Sequence, residues 1–406
     1  MLTPAQALDT VLEHIRTIGT ERISLFEAQN RVVARDLTSQ RSLPPCDNAA
    51  MDGFAVRAAD IAELPARLTV QGTIAAGDDV TALKLLPGHC YRIMTGAFIP
   101  AGADTVVEYE ITRSEGEQVT VLEPKKLAAN IRRAGEDIAR GATIRCQGEP
   151  VRPWHIARYI SAGVFYFSVY RRPRVAVISS GNEIVDPGTL DDSTKTYDSN
   201  GPAVAALLRN IGCEVVYLGV SRDDEASLQA MFSDLSGFDA VITSAGISAG
   251  DFDMMNRVAK NLGIRWHFQS VSQKPGKPIS FGVLHGTTLL FALPGNPISS
   301  MFCAYFYLLP AMRKMAGYAS FANVAVNVEL GAGTKKTKKR TQFDRARLQI
   351  ENGKLIAYPA ANQDSHVIDS MVESNAFLVL EPQSEYRQGD IVAAYVHNAA
   401  GLLGGI

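Results

Sequence analysis

The sequence predicts an α/β and β multidomain protein: an open, mostly parallel α/β sheet domain, a helical scaffold with an inserted β module, and a C-terminal β-barrel-like domain. Three observations predict it. From Arg174 to Met315 short apolar runs alternate with helix-length amphipathic ones, the rhythm of crossover units. Residues 67–145 instead alternate short β-rich runs with glycine turns, and the stretch after about 320 does the same. Helical patterns flank the first β stretch, which makes it an insertion.

Composition sets the bounds. The 406 residues suffice for several cores, and 46% hydrophobic with 20% charged content describes an ordinary globular chain. A formal charge of −2 argues against nucleic acid as the main partner. The basic run from Lys335 to Arg340 reads as a solvated loop. Five scattered cysteines (46, 90, 146, 213 and 303) form no C-x-x-C pair, so they read as reduced thiols in a cytoplasmic protein. The most apolar stretch, Ile298–Met312, is shorter than the roughly 20 residues a bilayer needs. It reads as a buried helix, with no secretory signal at the start of the chain.

In chain order, Thr3-Pro4 supplies an N-cap and a first-turn proline for a helix with Leu8, Val11, Leu12, Ile15 and Ile18 on one face. A second helix is expected over Leu25–Asp36, and a third over 152–163 that rejoins the first two. The prolines of Leu43-Pro44-Pro45 exclude regular helix from the polar segment Cys46-Asp47-Asn48-Ala49-Ala50-Met51-Asp52-Gly53. The β module carries expected strands Leu68–Ile74, Cys90–Met94, Thr105–Tyr109, Gln118–Leu122 and Thr143–Cys146. The α/β unit then reads as strand Val175–Ser179, helix Gly201–Asn210, strand Glu214–Leu218, helix Asp224–Asp234 and strand Ala240–Thr243. Helix Phe252–Asn261 follows, then strands Ile264–Val271, Ile279–Val283 and Thr288–Leu293, and helix Pro297–Met315. The last expected strands are Val324–Val328, Arg347–Ile350, Phe377–Leu380 and Ile391–Val396. Domain boundaries follow: 1–45 with 138–173 as scaffold, 46–137 as the inserted module, 174–319 as the α/β domain and 320–406 as the C-terminal domain.

In open α/β sheets, ligands bind at the carboxyl ends of the strands. Glu183 follows the first strand through Ser179-Ser180-Gly181, and Asp223 follows the second. The third ends in Ser244, Gly246, Ser248 and Gly250 before Asp251 and Asp253. Small residues there leave backbone N–H groups free for an anion, most often phosphate. Lys274 and Lys277 sit in Lys274-Pro275-Gly276-Lys277-Pro278, and Pro294-Gly295-Asn296-Pro297 opens the last helix. Carboxylates beside phosphate-binding amides suit hydrated Mg2+, and the lysines offer point charges to an oxyanion. The alternative for each acid is a helix N-cap or first-turn residue, and Asp223 or Asp251 taken alone reads better that way. No Ser–His–Asp or H-E-x-x-H arrangement is present, which argues against triad or zinc hydrolysis.

Six ordered motifs then coincide with one family. They are Asp47-Asn48-x-x-Met51-Asp52-Gly53-Phe54-Ala55, Thr95-Gly96-Ala97 with Pro100-x-Gly102-Ala103-Asp104, and Arg133-x-Gly135-Glu136-Asp137. Gly181-Asn182-Glu183, Lys274-Pro275-Gly276-Lys277-Pro278 and Leu293-Pro294-Gly295-Asn296-Pro297 complete the set. Almost end to end, the chain resembles the MoeA family of molybdopterin molybdenumtransferases, itself similar to the E domain of gephyrin.

The resemblance implies a homodimer of elongated four-domain subunits whose α/β domain, of the molybdopterin-binding type, takes adenylylated molybdopterin. Molybdate would be inserted with Mg2+ assistance and AMP released, the last step of molybdenum cofactor biosynthesis. It also implies exchange with the molybdopterin adenylyltransferase that supplies the substrate and with molybdoenzyme-maturation proteins, and no nucleic-acid or membrane partner. By motif position Asp52, Thr95, Glu183, Asp223 and Asp253 carry catalysis, and the last three acids are the metal candidates, with the choice of Glu183, Asp223 or Asp253 for Mg2+ left open. Ser180, Gly181, Ser244, Gly246, Ser248, Gly250, Lys274, Lys277, Pro294, Gly295, Asn296, Pro297 and Arg133 form the binding set, with both lysines and Arg133 as docking cations for molybdate. Asp52 and Thr95 would face the cleft formed with the other subunit. The chain departs from the family at Ala245, where a Gly-Gly pair is usual, at Ser180, where threonine is common, and at Asp364-Ser365-His366-Val367. A gephyrin-like binding scaffold without turnover is the alternative, and a nucleotide-hydrolysing or deamidating relative a third reading.

Overall fold

The computed structural model describes residues 1–189, 194–222, 224–232, 235, 237–244, 261–334, 339–382 and 384–399. Its centre is a six-stranded sheet in the order Glu214–Ser221, Arg174–Ser180, Ala240–Ser244, Thr288–Leu293, Ser280–Leu284, Arg265–Phe268. The first four strands run parallel and the last two antiparallel. All seven residues of Arg174–Ser180 except Arg174 are buried, as are all of Ala240–Ser244 and Thr288–Leu293. Strands covered on both faces must read as continuous apolar runs, which is why these three were legible.

Alternation divides the two faces. Val175, Val177 and Ile242 pack with Val204, Ala205 and Leu208 of helix Asn200–Asn210 and with Phe302–Met312. Ala176, Ile178 and Val241 pack with Phe232, Leu235 and Leu262 on the other face. The expected helix from Pro297 to Met315 is one buried rod, Pro297–Cys303 and Leu309–Met315, interrupted by a π-helical segment at Ala304–Leu308. The helix expected over Phe252–Asn261 lies outside the described residues.

The opening helix, Pro4–Glu13, has its Thr3–Gln6 capping box. Ala7, Val11 and Ile15 join the core of the α/β unit, and Lys314 Nζ donates to the Leu12 carbonyl at 2.8 Å. It therefore packs on the last helix of that unit, away from helix Pro153–Ser161, which it was expected to join. The helix expected over Leu25–Asp36 does not form. Only a 3-10 turn, Leu25–Glu27, is helical, and Asn30 takes a left-handed φ of 61°. The N–H groups of Asn30, Val33 and Ala34 donate to Val151, Glu149 and Ser168, so tertiary pairing takes the donors a helix would need. Strands Thr20–Ser24 and Tyr166–Tyr170 pair beside that segment.

The inserted module is a six-stranded sheet built from Gly53–Val56, Ala66–Ile74, His89–Ile93, Thr105–Glu108, Thr112–Glu115 and Gln118–Val121. Thr143–Ile144, expected within it, pairs instead with Leu37–Thr38. At the C-terminal end, Thr341–Glu351, Lys354–Pro359, Ala325–Leu330, Ile391–Val396 and Ala376–Leu380 pair in that order, and the last returns to the first. This ring is a closed five-stranded barrel. Among the described residues no helix is long and apolar enough to cross a membrane.

Candidate functional site at the carboxyl edge of the sheet

Register places a row of hydroxyls across the carboxyl ends of the parallel strands. Ser180 pairs with Ser221, Ser179 with Ser244, and Ser244 with Leu293, after which the chain runs into Pro294-Gly295-Asn296-Pro297. The first strand has the second on one side and the third on the other, so Ser179 and Ser244 flank the point where strand order reverses.

Two of these hydroxyls, Ser179 and Ser244, are buried without a partner, and so are three further polar atoms. Ser179 Oγ, Thr243 Oγ1, Ser244 Oγ, Asn200 Oδ1 and Ser300 Oγ accept and donate no hydrogen bond, although the residues are at most 8% exposed. Unpaired buried polar atoms each cost about 1–3 kcal/mol, so four such hydroxyls and an amide oxygen point to a ligand. By alternation Ser179 and Ser244 face the same side as helix Asn200–Asn210. A Cβ on Gly201 would lie 2.7 Å from Ser179 Oγ and 2.5 Å from Asp198 Oδ2, so only glycine fits there.

Asp198 fixes the start of that helix. Its Oδ1 accepts from the N–H groups of Asn200 and Gly201 at 3.1 Å each, and its Oδ2 accepts from Tyr217 Oη at 2.8 Å. These two helix-terminal amides are therefore occupied by a carboxylate. Burial and the neighbouring carboxylates of Asp198 and Asp186 hold the Tyr217 phenol protonated, far above its ordinary pKa. Asn200 Nδ2 donates to the Gly295 carbonyl at 2.7 Å, which ties the first loop to the last. No side chain caps the helix opened by Asn296-Pro297, whose Ile298 N–H donates to Ser365.

Glu183 is exposed, and its carboxylate lies over Gly181, where a Cβ would come within 2.9 Å of it. Asp223, Asp253, Asp251, Gly246, Ser248, Gly250 and Ala245 lie outside the described residues. Ser180, Gly181, Ser244, Pro294, Gly295, Asn296 and Pro297 all sit on the carboxyl edge. Lys274 and Lys277 reach the same edge, because their loop leads into Ser280, which pairs with Ala292 near the end of its strand. Glu183 and Lys277 thus share one side of the sheet.

Beside Lys274 the barrel supplies residues that periodicity did not flag. A cavity of about 210 Å³ is lined by Lys274, Ser299, Arg340, Asp344, Arg345 and Ser365. Arg345 is 1% exposed; its Nη2 donates to the carbonyls of Asn362 and Asp364, and its Nε has no partner. Burial raises the Asp344 carboxyl above its usual pKa, opposed by the Gln342 amide and the charges of Lys274 and Arg345. Desolvation likewise lowers Arg345. A second anion with the right shape would satisfy that excess of donors.

The module residues form a separate cluster. Asp52 Oδ1 accepts from Thr95 N–H at 2.6 Å and Thr95 Oγ1 at 2.7 Å, and the backbone bond first, then the hydroxyl, holds its carboxyl below the usual range. Arg133 pairs with Asp47, whose other oxygen accepts from Ala134 N–H at 2.8 Å. Among the described residues no hydrogen bond or ion pair links Asp52, Thr95 or Arg133 to the sheet edge.

A cavity of about 750 Å³ opens at the opposite, amino edge near Glu13, Arg171, Asp239 and Arg265. There Arg171 grips Asp239 with two nitrogens, and the strand-end hydroxyls are absent from its lining. The chemistry favours the smaller, polar carboxyl edge.

The comparisons with known proteins agree with this layout. Family models match residues 2–163 as the MoeA N-terminal region (domain I and II), 176–314 as a probable molybdopterin binding domain, and 327–396 as the MoeA C-terminal region (domain IV). The chain is 35% identical over 388 residues to a molybdopterin molybdenumtransferase of Haemophilus influenzae, covering 94% of this chain and 95% of that one. It is 32% identical to one of Bacillus subtilis, over 89% of this chain and 86% of the other. The crystal structure of a molybdopterin biosynthesis MoeA protein from Pyrococcus horikoshii superimposes with a TM-score of 0.83 at 28% identity, covering 98% of this chain and 99% of that one.

Proposed function

The chain belongs to the molybdopterin molybdenumtransferase family, and from that premise we propose that it inserts molybdate into adenylylated molybdopterin, releasing AMP and the finished cofactor. The observation that carries the reading is the set of buried, unpartnered hydroxyls of Ser179, Thr243 and Ser244 at the strand ends, on the same edge as two exposed lysines and a buried arginine. Phosphate oxygens accept from Ser179, Ser244 and Ser300, and molybdate, a dianion, docks against Lys274, Lys277 and the Arg345 cavity. The serines are fixed by the packed strands and helix, so charge developing on the leaving phosphate meets these donors in place, while the exposed lysines contribute charge.

Magnesium fits this edge. Glu183 is an exposed carboxylate beside the phosphate site, and such an ion takes one or two carboxylates together with phosphate oxygens. Asp223 and Asp253, which follow neighbouring strands in sequence, are its further proposed ligands. When bound, it neutralises charge on the pyrophosphate. Asp52 and Thr95 complete the site from the other subunit of a homodimer, with Arg133 supporting their loop through Asp47. A cytoplasmic location, and exchange with the adenylyltransferase upstream and cofactor-maturation proteins downstream, complete the proposal.

The test is incubation with adenylylated molybdopterin, magnesium and molybdate, following AMP release and cofactor formation. Binding of the nucleotide without any AMP release would favour the gephyrin-like scaffold instead.

A further inference from the structure

Beneath the Lys274-Pro275-Gly276-Lys277 loop lies a buried polar chain that the reaction does not touch. Gln273, Cys303 and Tyr307 are each 0% exposed. Tyr307 Oη donates to Gln273 Oε1, which obliges the other end of the amide, Nε2, to face the loop. There it donates to the Gly276 carbonyl at 3.1 Å and lies 3.7 Å from Cys303 Sγ. The same carbonyl also receives Cys303 Sγ at 3.7 Å and the Ile279 N–H at 3.3 Å.

The lysines sit one residue beyond each anchored point. Lys274 follows Gln273, whose own carbonyl accepts from Arg340 at 3.3 Å, and Lys277 follows Gly276. Gly276 has φ +83°, and a Cβ there would lie 2.4 Å from Cys303 Sγ, so the loop seats on the helix with no room between them. Tyr307 lies within the π-helical turn Ala304–Leu308, where an extra residue per turn shifts which side chains face the loop. A π turn in a buried rod is more often kept where a side chain has a task.

We infer that Tyr307 and Gln273 are positioning residues for molybdate docking: acting through the Gly276 carbonyl, they fix the backbone from which Lys274 and Lys277 project. This rests on the role proposed above for the two lysines. An anchored backbone spares the ordering of the loop on binding, so that only the two lysine side chains remain to be ordered.

The experiment compares Tyr307→Phe, the double variant Tyr307→Phe/Gln273→Met, and Lys277→Ala. It measures kcat and KM for molybdate, thermal unfolding, and hydrogen exchange over residues 273–279. Tyr307→Phe strands a buried acceptor and lowers the melting temperature, whereas the double variant removes both partners and recovers much of it. The inference expects KM for molybdate to rise about tenfold in both, with kcat within about twofold and faster exchange in the loop. A KM that returns to the wild-type value in the double variant along with stability would overturn it, since the pair would then be structural only. Unchanged loop exchange in both variants would overturn it as well. If Lys277→Ala leaves KM for molybdate unchanged, the docking role of the lysine fails, and loop exchange alone decides whether the clamp exists.

Discussion

Removing the Ser179 hydroxyl should stabilise the free protein while weakening its hold on phosphate. Ser179 is 0% exposed and its Oγ has no hydrogen-bond partner. Replacing it with alanine deletes an unsatisfied polar atom of a residue otherwise in a close-packed strand between Val220 and Ser244. The stranded hydroxyl costs about 1–3 kcal/mol, so Ser179→Ala should gain about 1–2 kcal/mol, or roughly 3–6 °C in the unfolding transition of a domain this size. A hydrogen bond to a charged phosphate contributes about 1.5–3 kcal/mol, so affinity for adenylylated molybdopterin should fall roughly 10- to 100-fold. Differential scanning calorimetry gives the first number and isothermal titration the second. The combination is diagnostic, because an ordinary core serine would lose stability and leave binding alone. A variant that melts lower and binds normally refutes the assignment of the strand-end row as a ligand site. Ser244→Ala should behave alike, and the two losses should be less than additive if both hydroxyls meet one phosphate group.

Four further outcomes follow from other parts of the molecule. Asp52→Ala should abolish cofactor formation, with AMP release and size-exclusion elution as the paired readouts; an active variant would remove Asp52 from the site. Because Thr95 donors hold the Asp52 carboxyl below its ordinary pKa, Thr95→Val should move the acid limb of the activity–pH profile upward, and an unmoved limb would separate the two residues. His397, packed between the rings of Phe377 and Tyr305, has its pKa pushed down to about 4 by burial. The unfolded chain, with an ordinary histidine near 6.5, binds more protons between those values, so stability is complete above pH 6.5 and falls by roughly 2–3 kcal/mol toward pH 4. Urea titrations of wild type and His397→Phe should differ in slope across that window; identical slopes would assign the loss to other groups. Gly53→Ala places a Cβ 2.0 Å from the Val107 carbonyl, so the inserted sheet should lose more than about 3 kcal/mol, read as early loss of protease resistance in that module.

Fold class was legible because the buried parallel strands leave no choice of composition. Ala240–Ser244 and Thr288–Leu293 are covered on both faces, so Ala240–Ile242 and Leu289–Leu293 read as continuous apolar runs. The inserted module and barrel were legible for a related reason, since turns between short strands demand glycine at positive φ, as at Gly116 and Gly353. Leu25–Asp36 misled because its apolar spacing suits a helix, yet its N–H groups bond to residues more than a hundred positions away.

Local chemistry decided the strand-end serines, the lysine loop and the capped first helix, all of which depend on neighbours in sequence. What only the folded molecule decided is which groups lack a partner and which distant groups share a cavity. No spacing announces that Ser179 Oγ is stranded, that Arg345 enters the cavity beside Lys274, or that Tyr307 reaches Gln273 through a π turn. Hydrogen-bond satisfaction and burial are sums over residues brought together from the whole chain, so they come into being only when the sheet, the last helix and the barrel are packed against one another.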